Sequence, residues 1–246
     1  MSRLTRRGGH QAQSTALVNG IEARGIGKTL RGREILHDVD LEVPRGTVAV
    51  IEGDNGAGKT TLVRMLATVV SPDTGTALVN GYDVTTQALD VRRSIGISFA
   101  NERSLYWRIS GFQNLELFGR IAGLSKRVIA RRSAEICERL HIGEVAQGRV
   151  SQMSTGQRQR LMVARSLLGD PAVLILDEPF RGLDEDGLQA LISLVAHRAQ
   201  GGTTVLIVAP LIAAVLPVAG ATYRMDAGTV RAVPAEQLRE HGGHQL

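Results

Sequence analysis

Cysteine and aromatic side chains are scarce in this sequence of 246 residues, and each scarcity excludes a class of protein. The single cysteine, Cys137, allows neither an internal disulfide nor a zinc cluster built on cysteine. Aromatic residues make up 3% of the chain, which is too few for the stacking surfaces that hold single-stranded nucleic acid. We therefore expect no nucleic-acid partner.

The N-terminal residues lack the apolar run of a secretory signal. Residues 1–10 contain three arginines and no acid, and the next ten residues contain no long apolar segment. We expect a flexible basic tail over residues 1–20 and a second tail over residues 233–246. The net charge of +5 suits an anionic ligand or a membrane surface and selects neither.

One uncharged run, over residues 203–223, has the length of a membrane-spanning helix. Pro210 and Pro217 argue against such a helix, as does the β-branched sequence before Pro210. We predict a buried strand over Thr204–Ala209, followed by a short apolar helix over residues 211–216. That helix is either buried or a contact surface for a partner subunit.

Elsewhere, two hydrophobic periods alternate along the chain. Apolar and acidic residues alternate over residues 36–43, which predicts a half-exposed, antiparallel strand. Three continuous apolar runs are typical of parallel strands that are covered on both faces: residues 48–51, 173–176 and 205–208. Helical periodicity dominates residues 103–165. The pattern indicates an α/β fold with a mostly parallel sheet as its core.

A phosphate-binding loop is the strongest motif. Residues 53–60 read GDNGAGKT, which fits G-x-x-x-x-G-K-[ST] and lies between an apolar strand and an amphipathic helix. Glycine allows successive backbone N–H groups to converge on phosphate oxygens. Lys59 would reach the β- and γ-phosphates, and the Thr60 hydroxyl would bind Mg²⁺. The candidate phosphate-binding residues are Gly53, Asp54, Asn55, Gly56, Ala57, Gly58, Lys59, Thr60 and Thr61.

A pair of acids ends the second continuous apolar run, where the sequence reads VLILDE over residues 173–178. Buried acids are costly unless they meet a cation or a donor. Asp177 suits the positioning of Mg²⁺ or its water ligands, and Glu178 suits the polarisation of an attacking water. The alternative is that the pair caps the next helix.

With these two elements, the sequence resembles the nucleotide-binding subunit of an ABC transporter over residues 21–232. The resemblance also includes S-T-G-Q at residues 154–157 and G-L-D at residues 182–184. It implies a P-loop NTPase fold with an N-terminal antiparallel β subdomain and an inserted helical subdomain at about residues 103–165. It further implies a head-to-tail dimer, homomeric or heteromeric, that encloses two ATP molecules. The residues expected to contact the nucleotide across that dimer are Ser154, Gly156, Gln157 and Asp184.

The resemblance implies an ATPase that energises a separate membrane permease from the cytoplasmic face of the membrane. Export of a drug, lipid, peptide or polysaccharide is the expected task. The alternative is a soluble ABC-type regulatory module that binds nucleotide and hydrolyses little of it. A P-loop kinase would need an acceptor site and a lid, and the sequence signals neither.

The sequence departs from the family pattern at three positions: in the S-T-G-Q signature motif, where the adenine base is contacted, and where a glutamine is expected. Thr155 stands where glycine is commoner, and Leu30 stands where an aromatic residue stacks on adenine. The expected glutamine is missing from residues 95–102, where Ala100 is the best match, with Asn101 or Glu102 as possible substitutes.

A fourth departure is Pro210, which replaces the histidine that usually follows the third apolar run. Proline has no side-chain donor for a γ-phosphate. We predict slow intrinsic hydrolysis, or reliance on a partner subunit with a complete site. The segment over residues 103–109 lies where family members contact the permease, and Tyr106 and Trp107 are candidate anchors. Packing within the helical subdomain is the alternative role for these two aromatics.

Overall fold

The structure is a computed structural model that describes residues 19–99 and 104–239. Its strands within those ranges are β1 (Asn19–Leu30), β2 (Arg33–Pro44), β3 (Val48–Glu52), β4 (Thr74–Val79), β5 (Tyr82–Asp83), β6 (Ile95–Ser98), β7 (Val173–Asp177), β8 (Thr204–Ala209), β9 (Ala221–Asp226) and β10 (Thr229–Ala232). Its α-helices there are α1 (Lys59–Leu66), α2 (Ala88–Ser94), α3 (Gly111–Ile121), α4 (Lys126–Arg139), α5 (Thr155–Leu167), α6 (Glu185–Gln200) and α7 (Ala235–Arg239).

The central sheet has six strands in the order β10-β9-β3-β8-β7-β6. Its pairings are parallel except for the β9–β10 hairpin. Every residue of β3, β7 and β8 is buried, so both faces of the sheet are covered at its centre. The three continuous apolar runs are therefore confirmed as adjacent parallel strands, and an α/β fold with a mostly parallel core is observed.

A second sheet is antiparallel and has the order β2-β1-β4-β5. Along β2, Val39, Leu41 and Val43 are buried while Asp40 and Glu42 are exposed. This alternation confirms the half-exposed strand predicted from the period of two.

Helices α3, α4 and α5 lie between β6 and β7 in the chain, in the stretch where helical periodicity dominates the sequence. Serine side chains cap all three: Ser110, Ser125 and Ser154 each accept a hydrogen bond from a backbone N–H of the first turn. Cys137 is buried in the core that these helices share with the central sheet. Burial raises the pKa of its thiol to about 12, so the thiol is inert at neutral pH.

The segment after β8 differs from its prediction. Residues 211–212 have no regular structure, residues 213–215 form a turn, and a single 3₁₀ turn follows over Leu216–Val218. Pro217 explains the absence of an α-helix here, because its nitrogen cannot donate the hydrogen bond that a helix needs. Ile212 and Val215 are buried in the chain's own core, so neither presents the predicted surface to a partner subunit.

The structure also bears on the uncharged run over residues 203–223, for which we predicted no membrane span, and on the predicted C-terminal tail. Among the described residues, no helix combines the length and the apolar character that a membrane crossing requires. The predicted tail over residues 233–246 contains α7, and Leu238 of that helix is buried in the core. Packed structure thus continues past residue 232.

Candidate functional site

The phosphate loop connects β3 to α1, and its glycines are required by geometry. Gly56 and Gly58 have φ angles of 88° and 106°, in the left-handed region that favours glycine. A Cβ on Gly58 would lie 2.7 Å from Cδ2 of Leu36, and a Cβ on Gly53 would clash with the backbone oxygen of Met225. Any larger residue at Gly53 or Gly58 would displace the loop from the two strands behind it.

The β9–β10 hairpin supports this loop from behind. The Gly228 N–H donates a hydrogen bond to the Ala57 carbonyl at 3.0 Å, and the His37 N–H donates one to the Gly228 carbonyl at 3.2 Å. The loop is therefore tied to both sheets through one turn of the hairpin. A glycine turn near the end of the chain gives no sign of its partner, so this support could not be predicted from the sequence.

Lys59 is the first residue of α1, and only 5% of its surface is exposed. Its Nζ donates to the carbonyl oxygens of Gly53 at 2.6 Å and Asp54 at 2.8 Å. Burial lowers the pKa of this ammonium group, and the nearby carboxylates of Glu178 and Asp177 oppose the shift. The loop thus encloses a cation whose present partners are neutral carbonyls. Thr61 lies in the same first turn of the helix.

The Thr60 hydroxyl donates a hydrogen bond to Oδ2 of Asp177 at 3.1 Å, across the ends of α1 and β7. Asp177 is 1% exposed, and within the described residues its Oδ1 atom has no hydrogen-bond partner. Burial raises the pKa of this carboxyl. A hydroxyl beside a buried carboxylate with a free oxygen fits Mg²⁺, which prefers oxygen ligands.

Glu178 follows β7 in a left-handed conformation, with φ at 49°. Its N–H donates to the Val208 carbonyl at 2.7 Å, and its carbonyl accepts from the Arg181 N–H at 3.4 Å. The next helix, α6, is capped instead by Asp184, whose Oδ1 accepts from the Gly187 N–H at 2.9 Å. The alternative interpretation of Asp177 and Glu178 as helix caps is therefore wrong.

Ser154 and Gln157 form a capping box at the start of α5. Ser154 Oγ accepts from the Gln157 N–H at 3.1 Å, and Gln157 Oε1 accepts from the Ser154 N–H at 2.9 Å. Gly156 packs so closely on Gly182 that a Cβ there would clash with the Gly182 carbonyl. The structure thus joins the S-T-G-Q segment to the loop that leads to Asp184.

The candidate residues fall into two groups. One contains the phosphate loop, Asp177 and Glu178; the other contains Ser154, Gly156, Gln157 and Asp184. Between these groups, no hydrogen bond or ion pair is observed in the part of the chain that the structure describes. The two groups therefore do not interact directly within one copy of the chain over the described residues.

Three further predictions concern Leu30, the missing glutamine and Pro210. Leu30 ends β1 and is exposed. Ala100, Asn101 and Glu102, the candidates for the missing glutamine, lie outside the described residues. Pro210 follows β8 directly and lines a cleft of about 600 Å³. The phosphate-loop residues Gly53, Asp54 and Asn55 line the same cleft.

Comparison with known proteins gives consistent matches. The family model described as ABC transporter matches residues 36–181, more than half of the chain. The Daunorubicin resistance ATP-binding protein DrrA3 of Streptomyces coeruleorubidus is 40% identical over 238 residues, covering 96% of this chain and 73% of the relative. The Doxorubicin resistance ATP-binding protein DrrA of Mycobacterium tuberculosis is 41% identical, covering 78% of this chain and 56% of the relative. The chain thus spans little more than half of that second relative.

Solved structures agree on the fold. cbiO1 from Clostridium perfringens, part of the ABC transporter complex cbiONQ, has a TM-score of 0.79 at 25% identity, covering 91% of this chain and 92% of that one. A dimeric ATP-binding cassette in a post-hydrolysis state bound to ADP and Pi has a TM-score of 0.77 at 23% identity, covering 87% and 98%. The predicted P-loop NTPase fold is confirmed. The chain belongs to the ABC transporter family, as an ATP-binding subunit.

Proposed function

We propose that this chain binds ATP with Mg²⁺, hydrolyses it, and so energises export by a separate membrane permease. The observation that carries the proposal is the phosphate loop closed around Lys59, next to a Thr60–Asp177 pair with a free carboxylate oxygen. We place the subunit at the cytoplasmic face of the membrane as a peripheral protein. The names of its relatives, which refer to daunorubicin and doxorubicin resistance, suggest a drug as cargo.

Phosphate binding follows from the loop's own geometry. The loop's backbone N–H groups and the N-terminus of α1 offer donors and a favourable dipole to an anion. Lys59 would exchange the carbonyls of Gly53 and Asp54 for β- and γ-phosphate oxygens, which carry full charges and compensate its buried ammonium group better. Asn55, Gly56, Ala57, Gly58 and Thr61 complete the cradle.

Thr60 and Asp177 would hold Mg²⁺, either directly or through its water ligands. When bound, the ion neutralises charge on the β- and γ-phosphates. The Thr60 hydroxyl already lies 3.1 Å from one oxygen of Asp177, and the second oxygen has no partner among the described residues. The residues present therefore fit the ion.

Hydrolysis requires a base beside the γ-phosphate, and Glu178 takes that role in our proposal. Water oxygen bonds to the γ-phosphorus, and the bond from that phosphorus to the bridging oxygen breaks. ADP leaves with the bridging electron pair, and a water proton passes to the Glu178 carboxylate. Ser154, Gly156, Gln157 and Asp184 of a second subunit, identical or related, would close the site from the other side.

Nucleotide binding and turnover by three forms of the full chain test this function. The parent gains heat stability with MgATP, because a ligand at 100 times its Kd adds about 2.7 kcal/mol to the free energy of unfolding. Lys59→Ala loses that gain. Glu178→Gln keeps it, hydrolyses at least ~100-fold more slowly and accumulates as an ATP-bound dimer. A parent protein that neither binds nor hydrolyses ATP would refute the proposal.

Coupling to transport is tested by co-expression with candidate permeases. We expect the chain to co-purify with an integral membrane protein and its turnover to rise in that complex. Association with ribosomes or DNA instead of a membrane protein would favour the alternative function, a soluble nucleotide-dependent regulator.

A further inference from the structure

A recess of about 330 Å³ lies beside Glu178, on the side of the site where residue 210 is proline. Its lining residues are Glu178, Phe180, Arg181, Ala209, Pro210 and Leu211. Its lining combines one carboxylate and one arginine with four apolar residues. Arg181 is thus its single basic side chain, and neither the family resemblance nor the site described above accounts for it.

A tight turn places Arg181 in this recess. Glu178 adopts a left-handed φ of 49°, and its carbonyl accepts a hydrogen bond from the Arg181 N–H at 3.4 Å. A second turn follows, in which the Leu183 N–H donates to the Phe180 carbonyl at 3.2 Å. The chain therefore folds back on itself, and residues 178 and 181 border the same space.

The guanidinium of Arg181 is exposed, and in the described ranges it makes neither a hydrogen bond nor an ion pair. Neighbouring arginines differ in this respect: Arg160 lies between Asp184 and Asp186, and Arg224 pairs with Glu52 at 3.0 Å. Guanidinium stays charged at any physiological pH and presents five donors in a plane. Arg181 is accordingly free to meet an anion.

The recess opens next to the phosphate loop. Pro210 and Leu211 border both this recess and the larger cleft that begins at Gly53 and Asp54. Glu178 is close enough to Lys59 for its charge to affect the pKa of that ammonium group. A γ-phosphate held by Lys59 would lie in a cleft that borders the Arg181 recess at Pro210 and Leu211, and Pro210 offers no donor.

We propose that Arg181 contacts the γ-phosphate of bound ATP and stabilises its charge during hydrolysis, replacing the donor that Pro210 lacks. The inference rests on the proposed function and names a further catalytic residue for it. Arg181 supplies hydrogen bonds and charge and keeps its proton throughout. The proton released by water still passes to Glu178, so the balance of the reaction is unchanged.

Kinetics of Arg181→Ala and Arg181→Lys in the full chain test the proposal. Loss of one donor to a developing oxyanion costs about 100-fold in turnover, so we expect that fall for alanine and a smaller one for lysine. ATP affinity should change little, since Lys59 and the loop remain. Trapping of MgADP with aluminium fluoride, which mimics the charged transition state and needs no turnover, should be lost with alanine.

The more specific test is whether Pro210→His restores the activity that Arg181→Ala removes. Pro210→His supplies a donor in the same recess, so it should raise turnover at least tenfold in the Arg181→Ala background and by a smaller factor in the parent. Arg127→Ala removes an exposed arginine on α4 and serves as the control for the loss of one charge. Circular dichroism checks that each variant is folded.

Three results would overturn the inference. Parent-like turnover and trapping in Arg181→Ala is the first, and failure of Pro210→His to restore any activity is the second. Recovery of Arg181→Ala at high protein concentration is the third, because it would show that Arg181 meets a carboxylate of a second copy. Failure of ATP to bind the parent chain is a different result, and it would refute the proposed function itself.

Discussion

Among single residues, Asp177 is a proposed Mg²⁺ ligand whose burial lowers the stability of the nucleotide-free protein. Its carboxyl is almost fully buried, one oxygen accepts from Thr60, and the other has no partner in the described structure. Burial raises its pKa above the usual value. A raised acid pKa means that the folded state binds a proton more readily than the unfolded state, so ionisation at higher pH lowers the free energy of unfolding.

Asp177→Asn is therefore expected to raise the thermal midpoint of the nucleotide-free protein at pH 7. The gain should shrink as the pH falls through the raised pKa, because the parent carboxyl is then neutral as well. The same substitution should abolish the extra stabilisation that Mg²⁺ gives in the presence of ATP. Thermal unfolding at several pH values, with and without MgATP, measures both effects. A lower midpoint at pH 7 without nucleotide would contradict this account.

Among secondary-structure elements, those with a strong local signal were predictable. The three adjacent strands β3, β7 and β8 contain continuous apolar runs, and α1 follows a motif whose glycines dictate the turn before it. The helix predicted over residues 211–216 is wrong, because apolar character alone does not distinguish a buried turn from a buried helix. Pro217 favours the turn, since its nitrogen cannot donate a helical hydrogen bond.

Contacts between distant segments left no signal in the sequence. The hydrogen bond from Gly228 to Ala57 joins backbone atoms, which carry no residue identity. The recess at Arg181 depends on a left-handed Glu178, a conformation that residue type does not predict. Residue identities therefore indicated which groups are candidates for phosphate binding, while the contacts that support those groups required the structure.

The junction between α5 and α6 depends on Arg160, whose side chain is 6% exposed. Its Nη1 donates to the Leu140 carbonyl at 3.1 Å, and its guanidinium lies 3.7 Å from Asp184 and 3.9 Å from Asp186. Arg160→Met would leave that carbonyl without its donor and would remove the cation beside Asp184, while Asp186 would keep its contact with His141 at 2.9 Å. We expect a loss of about 2 kcal/mol in the free energy of unfolding.

Urea unfolding measures this loss, with Arg127→Met on the exposed face of α4 as the matched control. Surface substitutions of that kind usually change stability by less than about 0.5 kcal/mol. Equal unfolding midpoints for the two variants would show that the α5–α6 junction does not depend on Arg160.

In the whole molecule, the proposed function requires a surface that contacts a permease, and we propose that Tyr106 and Trp107 provide it. They are 56% and 44% exposed. The buried Asn114 side chain holds the Tyr106 backbone on both sides, accepting from its N–H at 2.8 Å and donating to its carbonyl at 3.0 Å. Arg158 lies over the Trp107 ring, 5.0 Å from its centroid. The two aromatics are thus presented on a fixed loop, which reduces the entropy cost of binding.

Trp107→Ala should accordingly weaken association with the permease while nucleotide binding by the isolated chain stays unchanged. Truncation of an aromatic anchor at an interface costs about 2 kcal/mol, or roughly 30-fold in affinity. Leu89→Ala, which truncates an exposed apolar residue on α2, is the control. The measurement is the chain concentration that half-saturates permease-stimulated turnover. If the Trp107 and Leu89 variants require the same concentration, the aromatic loop is not the contact, and the exposure of both rings must have another cause.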